Sequence, residues 1–442
     1  MDKNRPDSGI SDKIRQQFNQ SPYPKAPLDF WDKNNSRTLY IHNLITSYYL
    51  RHQKVIETEG KVILDAGCGS GYKSLLLAEA NPSAKIVGID ISEESVQLAQ
   101  QRLHYHGFKN TEFYALPIEN LPELGLEFDY INADEVLYLL PNPLEGLRAM
   151  QSVLKPEGII RANLHSSRQR VHYYRAQELF KMMGLMDGNP QQREIEIVRE
   201  TMSALKDEML LKQTTWKPPF KTDDERILMN YLFQGDKGYT IPEMFAALRA
   251  ANLELISMVQ WWQWDLMDLF KEPDDLPIFL GLSLPEATIE ERLHLFELLH
   301  PIHRLLDFWC GHPHQAQSFM PVSEWALSDW QNARVHLHPQ LKTSELKEDV
   351  LNCVTQLKPL DMSQHLPFPD QFIFLDSTVA VCLLPLWQKP QSFESLLERW
   401  QQLRGVDPVT LKPTTTEETF DSLVKALTRL ESLACVLVER QG

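Results

Sequence analysis

Apolar and polar positions follow two alternating rhythms between residues 61 and 165. Short apolar runs typical of buried parallel strands are separated by stretches with helical spacing. Ser92 is expected to cap one helix, which Gly107 ends. The predicted strands cover 62–64, 86–89, 111–115, 128–132 and 158–164, and the predicted helices cover 92–106 and 144–154. This alternation predicts a mostly parallel α/β sheet with right-handed crossovers.

The segment before the sheet has a helical pattern interrupted by prolines. A short helix is predicted over 12–18 and a longer one over 37–54. Between them, the two prolines of Ser21-Pro22-Tyr23-Pro24 require an extended backbone that presents Tyr23. Two interpretations stay open for this segment. It is either a helical cap packed on the sheet or a lid that closes over a ligand.

After residue 165 the strand–helix alternation stops and then returns. Residues 166–237 are predicted to be helices rich in Met, Glu and Arg, which interrupt the sheet as an insert. A helix over 241–251 and a strand over 253–258 restore the rhythm, and the apolar run 276–284 is interpreted as a further strand. The position of the insert predicts that it roofs the substrate cleft.

The last third of the chain is predicted to be mainly helical. Helices are expected near 379–387, 393–403 and 417–430, followed by an apolar run over 434–438. Helices before a short terminal strand suggest a winged-helix-like module. This module has fewer basic than acidic residues, so protein interaction or regulation is favoured over DNA binding.

These patterns divide the chain into three predicted parts. Residues 1–60 form the lid or cap, 61–310 the sheet domain with its insert, and 311–442 the C-terminal module. A chain of 442 residues with 43% hydrophobic residues is expected to hold two or three domains.

Net charge and cysteine content argue against several classes of protein. A net charge of −16 argues against general affinity for nucleic acid or anionic membranes. No apolar run reaches the ~18 residues of a membrane span, and the polar residues around Asp12 argue against a signal peptide, so a cytoplasmic protein is expected. Five scattered cysteines indicate neither a disulfide framework nor a zinc site. His312-Pro313-His314 lacks helical ligand spacing, so no metal is predicted.

A glycine-rich turn follows the first predicted strand, in the sequence Asp65-Ala66-Gly67-Cys68-Gly69-Ser70-Gly71. Glycines allow a positive φ and remove side chains that would keep a ligand away from the loop and the next helix. The second strand ends in Asp90, which is placed to accept both hydroxyls of a ribose. The sequence therefore predicts a nucleoside site at the carboxyl ends of the strands.

The loop spacing resembles motif I of class I S-adenosylmethionine-dependent methyltransferases. The pattern is D-x-G-x-G-x-G, and its leading acid suits an ammonium group better than the pyrophosphate of a dinucleotide. The resemblance implies S-adenosylmethionine as cofactor and a Rossmann-like sheet of the seven-stranded type. It implies cofactor contacts from Asp65, Ala66, Gly67, Cys68, Gly69, Gly71, Asp90, Ile91, Ile118, Glu119, Asn132 and Ala133.

Several pieces also resemble methyltransferase domains attached to bacterial tetratricopeptide arrays. They include Ser21-Pro22-Tyr23-Pro24, the glycine loop, ANLHSSRQRVHYYRAQEL, YTIPEMFAALRAANLELI, and FELLHP followed by Phe308-Trp309. This resemblance covers about residues 12–310. One departure from the wider family is Pro117, at the place of an acid that usually binds the adenine amino group. Glu119 is the expected substitute.

Methyl transfer from a sulfonium requires positioning more than acid–base chemistry. Asn132-Ala133-Asp134-Glu135 replaces the signature associated with methylation of amino nitrogens on DNA or glutamine. His165, Asp134 and Tyr23 are the catalytic candidates, although each also has a purely structural interpretation.

The sequence predicts an S-adenosylmethionine-dependent methyltransferase with a protein side chain or a small metabolite as acceptor. No nucleic-acid or membrane partner is expected, and the C-terminal module is a candidate for binding a protein. An alternative stays open, in which the chain is an inactive cofactor-binding regulatory or scaffold protein. A nicotinamide oxidoreductase is disfavoured by the loop spacing.

Overall fold

The computed structural model describes residues 26–33, 35–315, 319–366, 373–406 and 411–441. The predicted helix over 12–18 and Tyr23 lie outside this part of the chain. The strands are β1 (Val62–Ala66), β2 (Lys85–Asp90), β3 (Thr111–Ala115), β4 (Phe128–Ala133), β5 (Leu154–His165), β6 (Glu254–Met258), β7 (Leu305–Gly311), β8 (Ala333–Leu337), β9 (Leu360–Asp361), β10 (Phe374–Leu375), β11 (Gln391–Ser392) and β12 (Val436–Arg440).

The helices of the described residues follow the same order along the chain. They are α1 (Ser36–His42), α2 (Leu44–His52), α3 (Tyr72–Ala80), α4 (Glu93–Tyr105), α5 (Pro143–Ser152), α6 (Val171–Met182), α7 (Gln192–Ala204), α8 (Leu210–Thr215), α9 (Asp224–Tyr231), α10 (Ile241–Ala250), α11 (Ile278–Ser283), α12 (Ile289–Leu299), α13 (Leu327–Gln331), α14 (Ser344–Gln356), α15 (Ser377–Leu383), α16 (Phe393–Leu403) and α17 (Thr416–Glu431). A 3₁₀ helix covers Ile118–Leu124.

The central sheet has seven strands in the order β3-β2-β1-β4-β5-β7-β6. The pairs β2–β3, β1–β4 and β4–β5 are parallel, whereas β7 is antiparallel to both β5 and β6. The predicted Rossmann-like α/β fold is confirmed. Parallel order brings the carboxyl ends of β1, β2, β4 and β5 to one edge of the sheet, where ligands bind in such folds.

Three elements differ from the sequence predictions. The run 276–284 forms the helix α11, not a strand, and the seventh strand is β7, which the pattern did not reveal. A short apolar run cannot be assigned to helix or strand by periodicity alone. The single helix predicted over 37–54 is two helices, because Asn43 is extended and caps α2 by accepting from the Ile45 N–H at 2.8 Å.

The described residues fall into two compact units. The first contains the seven-stranded sheet and the insert, over residues 26–29, 62–74 and 86–313. Its hydrophobic core includes side chains of the sheet strands, such as Leu64, Ile131 and Ile160. The insert consists of helices that enclose a separate cluster, which includes Phe180 and Tyr231. The insert therefore has its own apolar core.

The second unit joins residues 30–61 and 75–85 with the C-terminal residues from 314 onward. Tyr40 Oη donates to the Leu433 carbonyl, and Tyr49 Oη donates to Glu431 at 2.8 Å. Strand β8 pairs antiparallel with β11 and β12. The helices α1 and α2 thus pack in one unit with the mainly helical C-terminal region. That grouping differs from the predicted division, and the boundary at residue 310 stays a prediction.

Two further features concern the whole described part of the chain. Within it, no helix combines the length and apolar character that crossing a bilayer requires. All five cysteines are buried.

Candidate functional site

The glycine-rich loop between β1 and α3 is held against the end of β2. The N–H groups of Gly67 and Cys68 both donate to the Ile89 carbonyl at 2.8 Å. Gly67 has a φ of 79°, and a Cβ there would lie 2.6 Å from Cγ2 of Val136. A side chain at Gly67 would therefore collide with the segment after β4. The loop needs glycine there for both its backbone conformation and its close packing.

Asp90 joins the end of β2 to this loop. Its Oδ2 accepts the Gly69 N–H at 3.0 Å and its Oδ1 accepts the Ser92 N–H at 2.9 Å. Burial raises the pKa of this half-buried carboxyl, and the backbone donors oppose that shift. A carboxylate offers about four lone-pair sites, so these two bonds leave acceptor capacity for a diol. The geometry fits the predicted ribose role of Asp90.

Asp65, at the end of β1, is almost completely buried. Its Oδ2 accepts from Ser74 Oγ at 2.6 Å and its Oδ1 accepts from Asn132 Nδ2 at 2.9 Å. Burial raises the pKa of Asp65 to about 6 despite these two donors. Asn132 Oδ1 is buried and accepts no hydrogen bond from the described residues. Asp65 and Asn132 thus form a polar pair beneath the loop.

The predicted cofactor residues divide by accessibility. All lie at or near the carboxyl edge of the sheet, but Asp65, Ala66, Cys68, Gly71, Ile118, Asn132 and Ala133 are buried. The residues of the set with accessible surface are Gly67, Gly69, Asp90, Ile91 and Glu119. Direct contact with a ligand is therefore easiest for this accessible group, and the roles of all of them stay predictions.

A buried cluster of ion pairs lies at the same edge. Asp134 pairs with Lys73 at 2.5 Å and accepts from Asn163 Nδ2 at 2.8 Å. Arg161 pairs with Asp307 of β7 at 2.8 Å and lies 3.5 Å from Asp134. We call these five residues the buried ion-pair cluster. Asp134 was expected to face the substrate, but only 4% of its side chain is exposed. Lys73 and Arg161 hold its carboxylate inside, and its predicted catalytic role stays a prediction.

His165, at the end of β5, belongs to a second buried cluster. Its Nδ1 lies 2.7 Å from Asp236 Oδ1, and its ring stacks on Tyr138 with centroids 3.8 Å apart. Asp236 also accepts from Arg170 at 2.7 Å and from Gln177 at 2.9 Å. Burial acts to raise the pKa of Asp236, but the hydrogen bond from His165 and the positive charge of Arg170 outweigh it and lower this pKa to about 2. Burial lowers the pKa of His165, and Asp236 partly offsets that effect.

Glu135 connects the two clusters. It has a φ of 58°, a left-handed conformation that is uncommon for a residue with a side chain. The Glu135 N–H donates to Asn163 Oδ1 at 2.9 Å, and its carboxylate pairs with Arg304. Backbone strain of this kind concentrates at functional sites. The strained residue directs its carboxylate towards the His165 cluster.

The described start of the first unit is anchored beside the glycine loop. The buried guanidinium of Arg102 donates from Nε to the Ser70 carbonyl at 2.8 Å. It also donates to the carbonyls of Pro27 at 2.7 Å and Ala26 at 2.8 Å. We call residues 26–28 the N-terminal segment. One side chain thus bonds both the loop and the N-terminal segment, which directly follows the predicted Tyr23 region.

Sequence reasoning missed Arg102, Asp236, Arg304 and Asp307. Each meets its partner through tertiary packing between distant parts of the chain, as with Asp236 and His165, 71 positions apart. The sequence carries no local signal for these pairs. Among the described residues, no group of three or more His, Cys, Asp or Glu side chains is arranged to hold a metal ion.

Comparisons with known proteins place this site in a family context. Residues 57–224 match the family described as "Methyltransferase domain", and this range contains the glycine loop, Asp90 and the end of β5. Residues 57–224 are thus similar to a methyltransferase domain. A solved protein from Rickettsia typhi, PKMT2, has the same fold, with a TM-score of 0.61 over 91% of this chain and 75% of that one, at 16% identity.

Two curated relatives match the methyltransferase domain in sequence. An uncharacterised protein from Synechococcus is 29% identical over 272 residues, which are 60% of this chain and 63% of that protein. A ubiquinone biosynthesis O-methyltransferase from Actinobacillus pleuropneumoniae is 28% identical over 144 residues, 31% of this chain and 60% of that enzyme. The chain thus spans about 60% of the length of these relatives.

Proposed function

We propose that this protein is an enzyme that transfers a methyl group from S-adenosylmethionine to an acceptor molecule. The observation that carries the proposal is the glycine loop bonded to the end of β2, with the half-buried carboxylate of Asp90 between them. The match of residues 57–224 to a methyltransferase domain supports it. So does the common fold with PKMT2, which was also solved in complex with AdoHcy.

The residues at the loop fit this cofactor. Asp90 would accept hydrogen bonds from the ribose hydroxyls, and the backbones of Gly67 and Gly69 would allow close approach. Ile91 and the exposed Glu119 would lie against the adenine. Glu119 would replace the acid that is usual at the position of Pro117. When bound, the cofactor supplies the activated methyl group. The chain's own work is then to orient the acceptor and exclude water.

Asp65 would act on the cofactor's ammonium group indirectly or after a small rearrangement. Both of its oxygens are engaged by Ser74 and Asn132, and the residue is 1% exposed. A bound ammonium would favour the ionised carboxylate, and so would lower a pKa that burial now raises to about 6. Cofactor binding is therefore expected to depend on pH near this value.

For the acceptor, a small metabolite and a protein side chain are both retained. The O-methyltransferase names among the curated relatives favour an oxygen acceptor. The finer resemblance to methyltransferase domains attached to tetratricopeptide arrays, a cytoplasmic location, and a protein partner for the C-terminal module belong to this proposal. The rival hypothesis is an inactive cofactor-binding scaffold, which is suggested by Pro117 at the usual adenine-binding position.

The experiment that tests the proposal is a transfer assay with S-adenosylmethionine tritiated in its methyl group. The full chain is incubated with a bacterial lysate that is afterwards separated into protein and small-molecule pools. The enzyme predicts label in one of these pools, and the amount should fall sharply in the Asp90→Ala variant. The control is Glu93→Ala, which removes an exposed acid from the first turn of α4. No transfer by a wild-type chain that binds the cofactor would support the scaffold instead.

A further inference from the structure

The His165 cluster is built like a paired acid and base. An arginine can only donate hydrogen bonds, so the 3.2 Å contact between Arg304 Nη1 and His165 Nε2 makes Nε2 an acceptor. The other ring nitrogen, Nδ1, then carries the proton and donates to Asp236 at 2.7 Å. The imidazole is therefore neutral, with its lone pair on the side away from Asp236.

The insert supplies the residues that fix this arrangement. Asp236 is completely buried in its side chain and is held by Arg170 and Gln177, so its carboxylate cannot turn away from His165. The stacked ring of Tyr138 restrains the imidazole from one face. Both the tautomer and the ring orientation of His165 are thus set by its neighbours. A catalytic histidine requires such a fixed orientation.

Arg304 and Glu135 form the part of this cluster that solvent reaches. Their side chains are 43% and 32% exposed, whereas that of His165 is 3% exposed. Solvent therefore reaches this ion pair more readily than it reaches His165. Glu135 precedes Val136, which packs against Gly67 of the glycine loop, and Glu135 pairs with Arg304, which contacts His165. This is where an acceptor would have to lie for methyl transfer.

We infer that His165 is the general base of the proposed methyl transfer, that Asp236 is its positioning residue, and that the acceptor atom is a hydroxyl oxygen. This inference rests on the proposed function. In the reaction, the acceptor oxygen forms the new O–CH₃ bond while the sulfur–methyl bond breaks and its electron pair stays on sulfur. The hydroxyl proton moves to Nε2 of His165, and the resulting imidazolium is stabilised by Asp236.

The charge next to Nε2 selects for oxygen. Arg304 is a permanent cation, so it would repel an ammonium acceptor and stabilise the negative charge that develops on a hydroxyl oxygen. An acceptor hydroxyl would displace Arg304 from Nε2 and leave it paired with Glu135. The charged groups that face His165 are Asp236, Arg170 and Arg304, with Glu135 behind Arg304.

The first test measures the imidazole itself. Nitrogen-15 NMR of His165 in the full chain should show a neutral ring with the proton on Nδ1 at pH 7, and His165→Gln assigns the signal. A ring that is doubly protonated at pH 7, or protonated on Nε2, would overturn the inference. This readout does not depend on the cofactor or on the acceptor.

The second test uses tritiated-methyl S-adenosylmethionine and the lysate pools described above. We expect label that hydriodic acid releases as methyl iodide, as methyl ethers do, and a rate about 10²- to 10⁴-fold lower in His165→Gln. Calorimetry should show unchanged cofactor affinity. His312→Gln is the matched control, since His312 binds the Leu154 carbonyl at the opposite end of β5.

The Asp236→Asn variant separates a positioning role from a structural one. Asp236 raises the pKa of His165, so the variant should slow transfer and move the acidic limb of its pH profile to lower pH. An unmoved limb would contradict the positioning role. Label bound to nitrogen, or full transfer by His165→Gln, would overturn this inference and leave the proposed function standing. Absence of both cofactor binding and transfer in the wild type would instead remove the proposed function.

Discussion

Gly71 offers a direct test of why the glycine loop needs glycine at its end. Its φ is 84°, and a Cβ added there would lie 2.6 Å from Cα of Ala99 and 2.8 Å from its Cβ. Ala99 lies within α4, so the colliding atom belongs to a helix backbone that cannot turn aside. The left-handed conformation costs an alanine about 1–2 kcal/mol, and overpacking adds about 1–3 kcal/mol. Gly71→Ala should therefore lose about 2–5 kcal/mol of unfolding free energy.

Gly107 provides the matched control for this substitution. Its φ is 85°, but nothing lies within 4 Å of an added Cβ. Gly107→Ala should therefore lose only the conformational part, about 1–2 kcal/mol. Urea unfolding followed by circular dichroism measures both variants. Equal losses for the two alanines would refute the argument, because the steric contact with α4 would then contribute nothing.

Three more predictions concern the site and its surroundings. Arg161→Met leaves the carboxylates of the buried ion-pair cluster without their central cation, and it should cost about 3–5 kcal/mol of unfolding free energy in urea titrations. The raised pKa of Asp65, about 6, means that the folded chain retains a proton that the unfolded chain loses from about pH 4. Unfolding free energy should thus fall as pH rises through this window, and Asp65→Asn should flatten that slope. The ammonium group of a lysine lacks the planar set of donors with which Arg102 bonds the carbonyls of Ser70, Pro27 and Ala26. Hydrogen exchange of the N-terminal segment should therefore accelerate in Arg102→Lys. A small loss of unfolding free energy in Arg161→Met would contradict the first prediction. An unfolding free energy of the wild type that does not change with pH would contradict the second, and unchanged hydrogen exchange in Arg102→Lys would contradict the third.

The parts of the fold that sequence could predict are those with local signals. The loop and Asp90 follow from glycine spacing and from the ends of apolar runs, and Ser92 follows from capping chemistry. The structure confirms that Ser92 Oγ accepts the Ser95 N–H at 3.2 Å. Such features depend on neighbours within a few residues, so a single sequence contains them.

The remaining features depend on tertiary packing. Strand β7 returns antiparallel between β5 and β6, and only that pairing distinguishes it from other apolar runs such as the exposed helix α11. His165 could be placed at the site by its position after β5. Its partner Asp236 could not be placed there, because no sequence pattern in the insert indicates that this residue contacts the end of β5. The sequence therefore predicted a site, whereas its acid–base pair required the structure.

The central claim is that the loop and Asp90 bind S-adenosylmethionine. The direct measurement is isothermal titration calorimetry of the cofactor with the wild type, Asp90→Ala, Gly69→Val and the control Glu93→Ala, each shown to be folded. Each charge-assisted hydrogen bond to Asp90 is worth about 1.5–3 kcal/mol, so Asp90→Ala should bind at least about tenfold more weakly. Gly69→Val should also lose binding, because its side chain enters the ligand's space. Equal affinity in all four proteins, or no binding by the wild type, would contradict the account.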